Sequence, residues 1–307
     1  MLRYILTRIA TAALTMLAAC FLVGLLIHLV PGDPVEVMVA KMDAVSPEQI
    51  HAIREQLGLN APPWEQSANY VWRVLHGDFG KTIFGREPVL EFLLSRLPNT
   101  FLLTICGTVL ALAIGLPLGF LAAYHRGSWL DNLLMFISVL GVSVPAFWLG
   151  LVLLVTFSVH FQFIPVAGDG PASVILPAVT LGLVYSAIIA RMTRSAMIEV
   201  LTEDFIRTAR SKGLPERLVL MRHALKPGMI AVVTIAGLIF GYMMGGQVIV
   251  ENVFSWNGIG RVAIHAMLQR DYPTIQGFII LFAAVIVTVS LLLDLVYMWI
   301  DPRIIKS

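Results

Sequence analysis

Charge is scarce in this chain. Only 13% of its 307 residues are Asp, Glu, Lys or Arg, against 58% apolar ones, whereas a soluble domain carries roughly 25% charged residues. That deficit excludes a soluble globular protein, and the mean hydropathy of +0.85 is that of a polytopic membrane protein. The net charge is also small, at +2. Its basic residues gather at the edges of apolar runs, which leaves no field to attract a nucleic acid. Cysteine is nearly missing: Cys20 and Cys106 each sit inside an apolar run, where a thiol is a small buried hydrophobe rather than part of a disulfide framework or metal ligand set. His28, His51, His76, His125, His160, His223 and His265 are scattered singly, so no metal or hydrolase constellation forms from them. Gly80-Lys81-Thr82 resembles the end of a phosphate-binding loop, but that motif needs a glycine five residues earlier and a preceding strand. Position 75 is Leu75. The chain therefore offers no catalytic residues, no metal site and no cofactor or nucleotide site of its own.

What it has in abundance is long apolar runs. A membrane-spanning helix needs about 20 mostly apolar residues, and six runs qualify, near 9–30, 99–123, 132–161, 174–196, 229–250 and 276–299. The first follows Arg3 and Arg8 like a signal peptide, but it is longer than the usual ~7–15-residue signal core and reads as a retained helix. Lys and Arg near span ends set orientation. Arg191, Arg194, Arg207, Arg210, Lys212, Arg217, Arg222 and Lys226 flank or fill the segment between spans four and five, and the loop between spans three and four has neither Lys nor Arg. Both termini and that basic segment are thus expected in the cytoplasm. The 31–98 stretch is long enough to translocate despite its charges. The expected fold is all-α: a multi-pass membrane protein of six transmembrane helices with a helical outer insertion between the first two. It divides into a first helix at 1–30, the insertion at 31–98 and a core at 99–307.

The insertion reads as ordered. Ser46-Pro47-Glu48-Gln49 supplies an N-cap, a proline at the first helical position and a capping-box partner, and Gly58 stops the helix. A second helix is expected after Pro63, with Tyr70, Val71, Val74 and Leu75 apolar, and a third from about Glu87 to Leu97 before Pro98. Each could pack on the outer ends of the spans or grip an external partner.

The segment at about 199–227 is the charged exception. Phe205, Ile206 and Ala209 recur at helical spacing on one side, and Arg207 and Arg210 share another, which describes a short amphipathic helix. Gly213 ends it. Leu214-Pro215-Glu216 restarts a helix, since proline suits the first turn and Glu216 its positive end. The pattern is helix, glycine turn, helix. Such a pair could lie on anionic lipid, but Glu199, Glu203, Asp204 and Glu216 interleave with the basic residues and favour a protein dock.

Thr208-Ala-Arg-Ser-Lys-Gly213, followed by His223-Ala-Leu225 and Pro227, resembles the EAA loop of ABC-importer permeases, the coupling helix that fits a groove on an ATPase subunit in that family. The name-giving Glu-Ala-Ala is replaced here by Arg207, Thr208 and Ala209, a variant typical of the peptide/nickel branch. Further matches run almost the whole length: Leu2-Arg-Tyr-Ile-Leu-Thr-Arg8, Leu29-Val-Pro-Gly-Asp-Pro34, Leu57-Gly-Leu59, Gly77-Asp-Phe-Gly80, Ser143-Val-Pro-Ala-Phe147, Glu251-Asn-Val-Phe-Ser-Trp-Asn-Gly-Ile-Gly-Arg261, Arg270-Asp-Tyr-Pro273 and Asp301-Pro-Arg303. They are similar to the first permease of a dipeptide, oligopeptide or nickel importer. Asn257 departs from the family's usual proline after tryptophan, which implies a looser outer turn.

The resemblance implies a type I ABC-importer permease fold in the bacterial inner membrane. Its implied partners are a second permease, two ATPase subunits that hold ATP and Mg, an external substrate-binding protein and membrane lipid. It further implies ATPase coupling through Glu203, Asp204, Thr208, Ala209, Arg210, Gly213, Leu214, Pro215 and Leu225. The loop from Glu251 through Trp256, Asn257, Gly258 and Gly260 to Arg261 is expected outside, facing the binding protein. Gly237, Gly241 and Gly245 recur every four residues, the close-approach pattern of membrane helices. A contact within the bundle would suit them, but a seam with the second permease is the expected role, because the importers this chain resembles are built from two permease chains. Gly115, Pro117 and Gly119, and Val144-Pro145, are expected to bend spans two and three. Asp294 is the most deeply placed acid by sequence, and such a charge seeks a partner. A stand-alone ion-coupled transporter would carry several acids or histidines at mid-membrane, and only Asp294 qualifies. Among substrates, short peptides come first, with glutathione, nickel or metal chelates and opines behind.

Overall fold

The computed structural model describes residues 2–29, 35, 61–83, 85–165, 171–245 and 247–300. The expected helix at Ser46–Gly58 and the motifs at Val30–Pro34, Leu57–Leu59 and Asp301–Arg303 lie outside them. Among the described residues every long element is helical: α1 (Leu2–Leu29), α2 (Pro63–Leu75), α3 (Val89–Tyr124), α4 (Trp129–Ser143), α5 (Ala146–Leu153, continuing as a π-helix to His160), α6 (Ile175–Leu201), α7 (Asp204–Ser211), α8 (Glu216–Leu218), α9 (Leu225–Met244), α10 (Val248–Val253), α11 (Ile259–Gln269) and α12 (Tyr272–Ile300). Among the described residues five stretches are long and apolar enough to cross a membrane: Leu6–Leu25, Val89–Tyr124, Ala172–Leu201, Glu216–Met244 and Tyr272–Val296. The sixth expected span is broken. Trp129–Ser143 and Ala146–His160 meet at 94°, because Pro145 supplies no N–H and pushes Val144 out of the helical region, to φ −80° and ψ 121°.

Pro98 does not end a helix. The turns expected at Glu87–Leu97 and span two are one helix, α3, which runs unbroken through both Pro98 and Pro117. Each proline costs one backbone hydrogen bond, and a helix of 36 residues keeps the rest.

The chain forms two compact units by contact: residues 1–99 with 257–288, and residues 100–256 with 289–307. In the first, α2 packs along α1. A side-chain carbon added at Gly24 would stand 2.9 Å from the Cα of Ser67, so glycine permits the approach. Cys20, Val23 and Ile280 are buried there with Tyr70, Val71 and Val74 against them. Leu75 leaves the expected apolar face and is exposed, as are Trp64 and Trp72. Asp271 precedes α12, and its carboxylate accepts from the backbone N–H groups of Thr274 (3.2 Å) and Ile83 (3.1 Å). It thereby caps a helix and ties down a loop 188 residues away in sequence. Burial pushes its pKa up against the pull of those donors.

The second unit is built on α3 against α6. Gly107, Ala111, Gly115 and Gly119 recur every four residues along α3. Added carbons at Gly115 and at Gly182 of α6 would each stand 2.7 Å from a facing atom, the Ser186 carbonyl oxygen and Leu110 Cβ respectively. Expected to bend the span, these glycines instead let two backbones touch. Around this contact lie Leu103, Leu181, Ile189, Val232 and Met243, all buried.

Replacing Gly115 by Leu should therefore destabilise the protein by at least the about 1–3 kcal/mol of an overpacked core. The exposed Val109→Ala should stay within about 0.5 kcal/mol of wild type. Thermal unfolding in detergent compares the two, and equal midpoints would refute the close contact.

Candidate functional site

The charged segment at 199–227 is assembled by burying one side of α7. Glu203, in extended conformation at φ −67° and ψ 148°, opens the helix. Ile206 (0% exposed) and Ala209 (7%) then point inward to Ala123, Met197, Val219 and Ala224, with Leu201 and Leu214 at the fringe. These neighbours belong to the ends of α3 and α6 and to the π-helical turn Val219–Ala224 that leads into α9 at Leu225. Phe205 does not join them. It is 45% exposed, because its position one residue before Ile206 rotates it by 100° around the helix.

The turn is fixed by backbone and charge. Gly213 has φ +76°, a left-handed conformation that costs other residues roughly 1–2 kcal/mol. No atom lies within 4 Å of where a Cβ would stand. Conformation, not crowding within the chain, therefore selects glycine here. The Gly213 N–H donates to the Arg210 carbonyl at 2.9 Å. Pro215 begins the next turn, its carbonyl accepting from Leu218 N–H at 2.8 Å. Across the turn, Arg210 grips Glu216 with both arms, Nε to Oε2 at 3.1 Å and Nη2 to Oε1 at 2.7 Å. The carboxylate raises the pKa of the Arg210 guanidinium further. Thr208 Oγ1 donates back to the Asp204 carbonyl at 2.9 Å, and Asp204 pairs loosely with Arg207 at 3.6 Å. Glu203, Asp204, Phe205, Thr208, Arg210, Gly213 and Pro215 are all exposed, with Met221 beyond them at 58%. The result is a rigid polar ridge with apolar points, buried on one side and open on the other.

The glycines of α9 and the 251–261 stretch are packed within the chain. Gly237 lies beneath Leu293, and Gly241 would place a carbon 3.2 Å from Val289 Cγ1, both on α12 of the same chain. Gly245 closes α9 as its C-cap. Gly237 and Gly241 thus meet α12 on the face they share. Leu238 and Tyr242, one position on, are the exposed residues at 55% and 65%. The 251–261 stretch is likewise no open loop. Glu251 is completely buried in α10 and accepts from Thr100 Oγ1 at 2.8 Å. Trp256 is 8% exposed within the core. Gly258 caps α11, where Gly260 is buried and Arg261 half-buried. The Asn257 carbonyl accepts from Asn99 Nδ2 at 2.9 Å, so that turn is held.

Sequence reasoning missed the strongest ion pair. Asp131, 2% exposed, receives Arg194 Nε at 2.6 Å and Nη2 at 2.7 Å. Ser128 caps α4 by accepting from Asp131 N–H at 3.3 Å, and the Asp131 carboxylate accepts from Gly127 N–H at 2.9 Å. This is a serine N-cap whose third residue, Asp131, ties back to Gly127 and reaches across to α6. A lone acid three residues after a serine at a span edge was the available signal. Asp294, the acid singled out instead, lies half-buried in α12.

Removing Asp131 alone strands Arg194, and Asp131→Ala should cost about 3 kcal/mol or more. The double variant Asp131→Leu with Arg194→Met should recover most of it. Chemical denaturation of wild type and the two variants measures this, and a double variant no more stable than Asp131→Ala would contradict the pairing.

Helices of this length, number and apolarity, with one polar helix–turn–helix segment held between two of them, define a multi-pass integral membrane protein. Residues 115–306 match the family model "Binding-protein-dependent transport system inner membrane component", and residues 1–104 match its N-terminal counterpart. The chain belongs to this family of ABC-importer permeases. It is 39% identical over 99% of both chains to the dipeptide transport system permease protein DppB of Escherichia coli K12. It is 41% identical over 99% of both chains to the glutathione transport system permease protein GsiC of Salmonella typhimurium. In fold it is similar to a chain of the MetNI methionine ABC transporter, with a TM-score of 0.61 over 70% of this chain and 99% of that one at 18% identity.

Proposed function

We propose that this chain is one permease half of an ATP-driven importer of short peptides in the bacterial inner membrane, with both termini and the α7–α8 segment on the cytoplasmic side. The observation that carries this reading is full-length likeness to both a dipeptide permease and a glutathione permease. Glutathione is itself a modified tripeptide, so both relatives point to one substrate class. A second permease completes the path, two ATPase subunits bind ATP and Mg, and an external binding protein delivers substrate. The chain contributes no bond-making chemistry.

Force would enter through α7. Its outward residues Thr208, Arg210 and Gly213 meet the ATPase, and Ile206 and Ala209 anchor it to the ends of α3 and α6. When ATP closes the ATPase pair, α7 moves and the packed helices follow as units, opening the path outward. The Arg210–Glu216 clamp keeps the turn from absorbing the motion.

Cells that depend on this transporter for dipeptide uptake test the reading. Wild type should accumulate labelled dipeptide only with the ATPase subunits present. Gly213→Asp should cut uptake at least tenfold with unchanged chain level in the membrane, since it strains the turn and adds an acid at the dock. Full uptake in that variant, or uptake without the ATPases, would refute the coupling role.

A further inference from the structure

A cavity of about 350 Å³ lies within the first compact unit. Its walls come from the 82–96 stretch, α11 and the start of α12, and its chemistry from Glu87, Phe92, Arg96, Arg261, His265 and Asp271. None of these belongs to the docking segment.

Arg96 is the unusual member. Its Nε is buried without a hydrogen-bond partner, and among the described residues no carboxylate pairs with it. Its guanidinium carbon stands 5.8 Å from the Phe92 ring centroid, a cation–π distance that fixes the side chain over the ring. The Arg96 side chain is half-buried, and its buried Nε lacks an acceptor that an anion entering the cavity would supply. Arg261 and His265 stand in the same wall, one turn apart on α11.

The acids of the cavity divide into two kinds. Asp271 is committed, both oxygens accepting from backbone N–H groups. Glu87 has its backbone pinned to Thr82 by two hydrogen bonds, at 2.9 and 3.2 Å, and its carboxylate is in no ion pair among the described residues. The cavity thus offers an available cation and an available anion, with the amides of Asn257 and Gln269 in its lining. Its volume falls at the lower end of the roughly 300–1,000 Å³ typical of small-ligand sites.

We propose that this cavity is a binding site for a short zwitterionic peptide, its terminal carboxylate on Arg96 and its ammonium group toward Glu87. The assignment rests on the peptide-import reading for its physiological ligand and gives this chain a direct part in substrate recognition.

The test uses the transporter purified in detergent without its binding protein, and titrates dialanine, dialanine amide and N-acetyl-dialanine by calorimetry or ligand-observed NMR. Dialanine should bind saturably, and each blocked analogue at least tenfold more weakly. Arg96→Gln should weaken dialanine at least tenfold and abolish its advantage over the amide, and Glu87→Gln should abolish its advantage over the acetylated form. Because the analogue series uses wild-type protein, a folding defect in either variant leaves the test intact. Equal affinity for all three ligands, or binding unaffected by both variants, overturns the site. Uptake of dialanine by the complete system separates the two claims: uptake without binding in the purified transporter overturns the cavity alone, and binding without uptake of any peptide overturns the import reading.

Discussion

Where α3 and α6 meet, neither helix has side chains to spare. Gly115, Gly119 and Gly182 leave backbone against backbone, and in hydrocarbon, where apolar side chains gain little by leaving lipid, such close packing is what holds helices together. The same two helices end at the docking segment. Phe120 and Ala123 close α3, Met197 and Leu201 close α6, and all four touch the apolar side of α7 or its neighbours. In the proposed mechanism a displacement of α7 would thus reach two closely packed helices. Asp131 strengthens this by fastening α4 to α6 through Arg194, a little before the same end.

The docking segment keeps rigidity and exposure apart. Ile206, Ala209 and Val219 are buried and supply cohesion. The outward residues are polar and paired locally, as in Arg210 with Glu216 and Thr208 with Asp204. An exposed pair of this kind adds only about 0.2–1 kcal/mol, so its value is geometric. It bridges the turn at Gly213.

Much of this was legible in the sequence, for identifiable reasons. Apolar runs of membrane length located every long helix, since hydrocarbon leaves the backbone few alternatives. Pro145 and Gly213 acted as local punctuation, and local rules sufficed for both. Failures arose wherever a residue's role depends on what another helix brings to it. Pro98 reads as a stop in isolation, yet the turns before it pack on Gly277 through Val89 and Leu93, and the helix continues. Gly237 and Gly241 announce a close approach without naming the partner, which proves to be α12. Glu251 and Trp256 look like an exposed polar and aromatic motif, yet both are buried. Asp131 and Arg194 are 63 residues apart in sequence, and no periodicity links them. The Arg96 cavity needed α11 to be folded against the 82–96 stretch before its charges could be seen together.

The central claim is that the outward side of α7 is where an ATPase subunit docks. A photo-crosslinking amino acid at Thr208, exposed on that side, tests it directly in native membranes, with the buried Ile206 as the matched control. An adduct between this chain and an ATPase subunit from position 208, absent from 206, is the expected result. Efficient incorporation at 208 with adducts only to lipid would contradict the docking role and return α7 to the status of an interfacial helix.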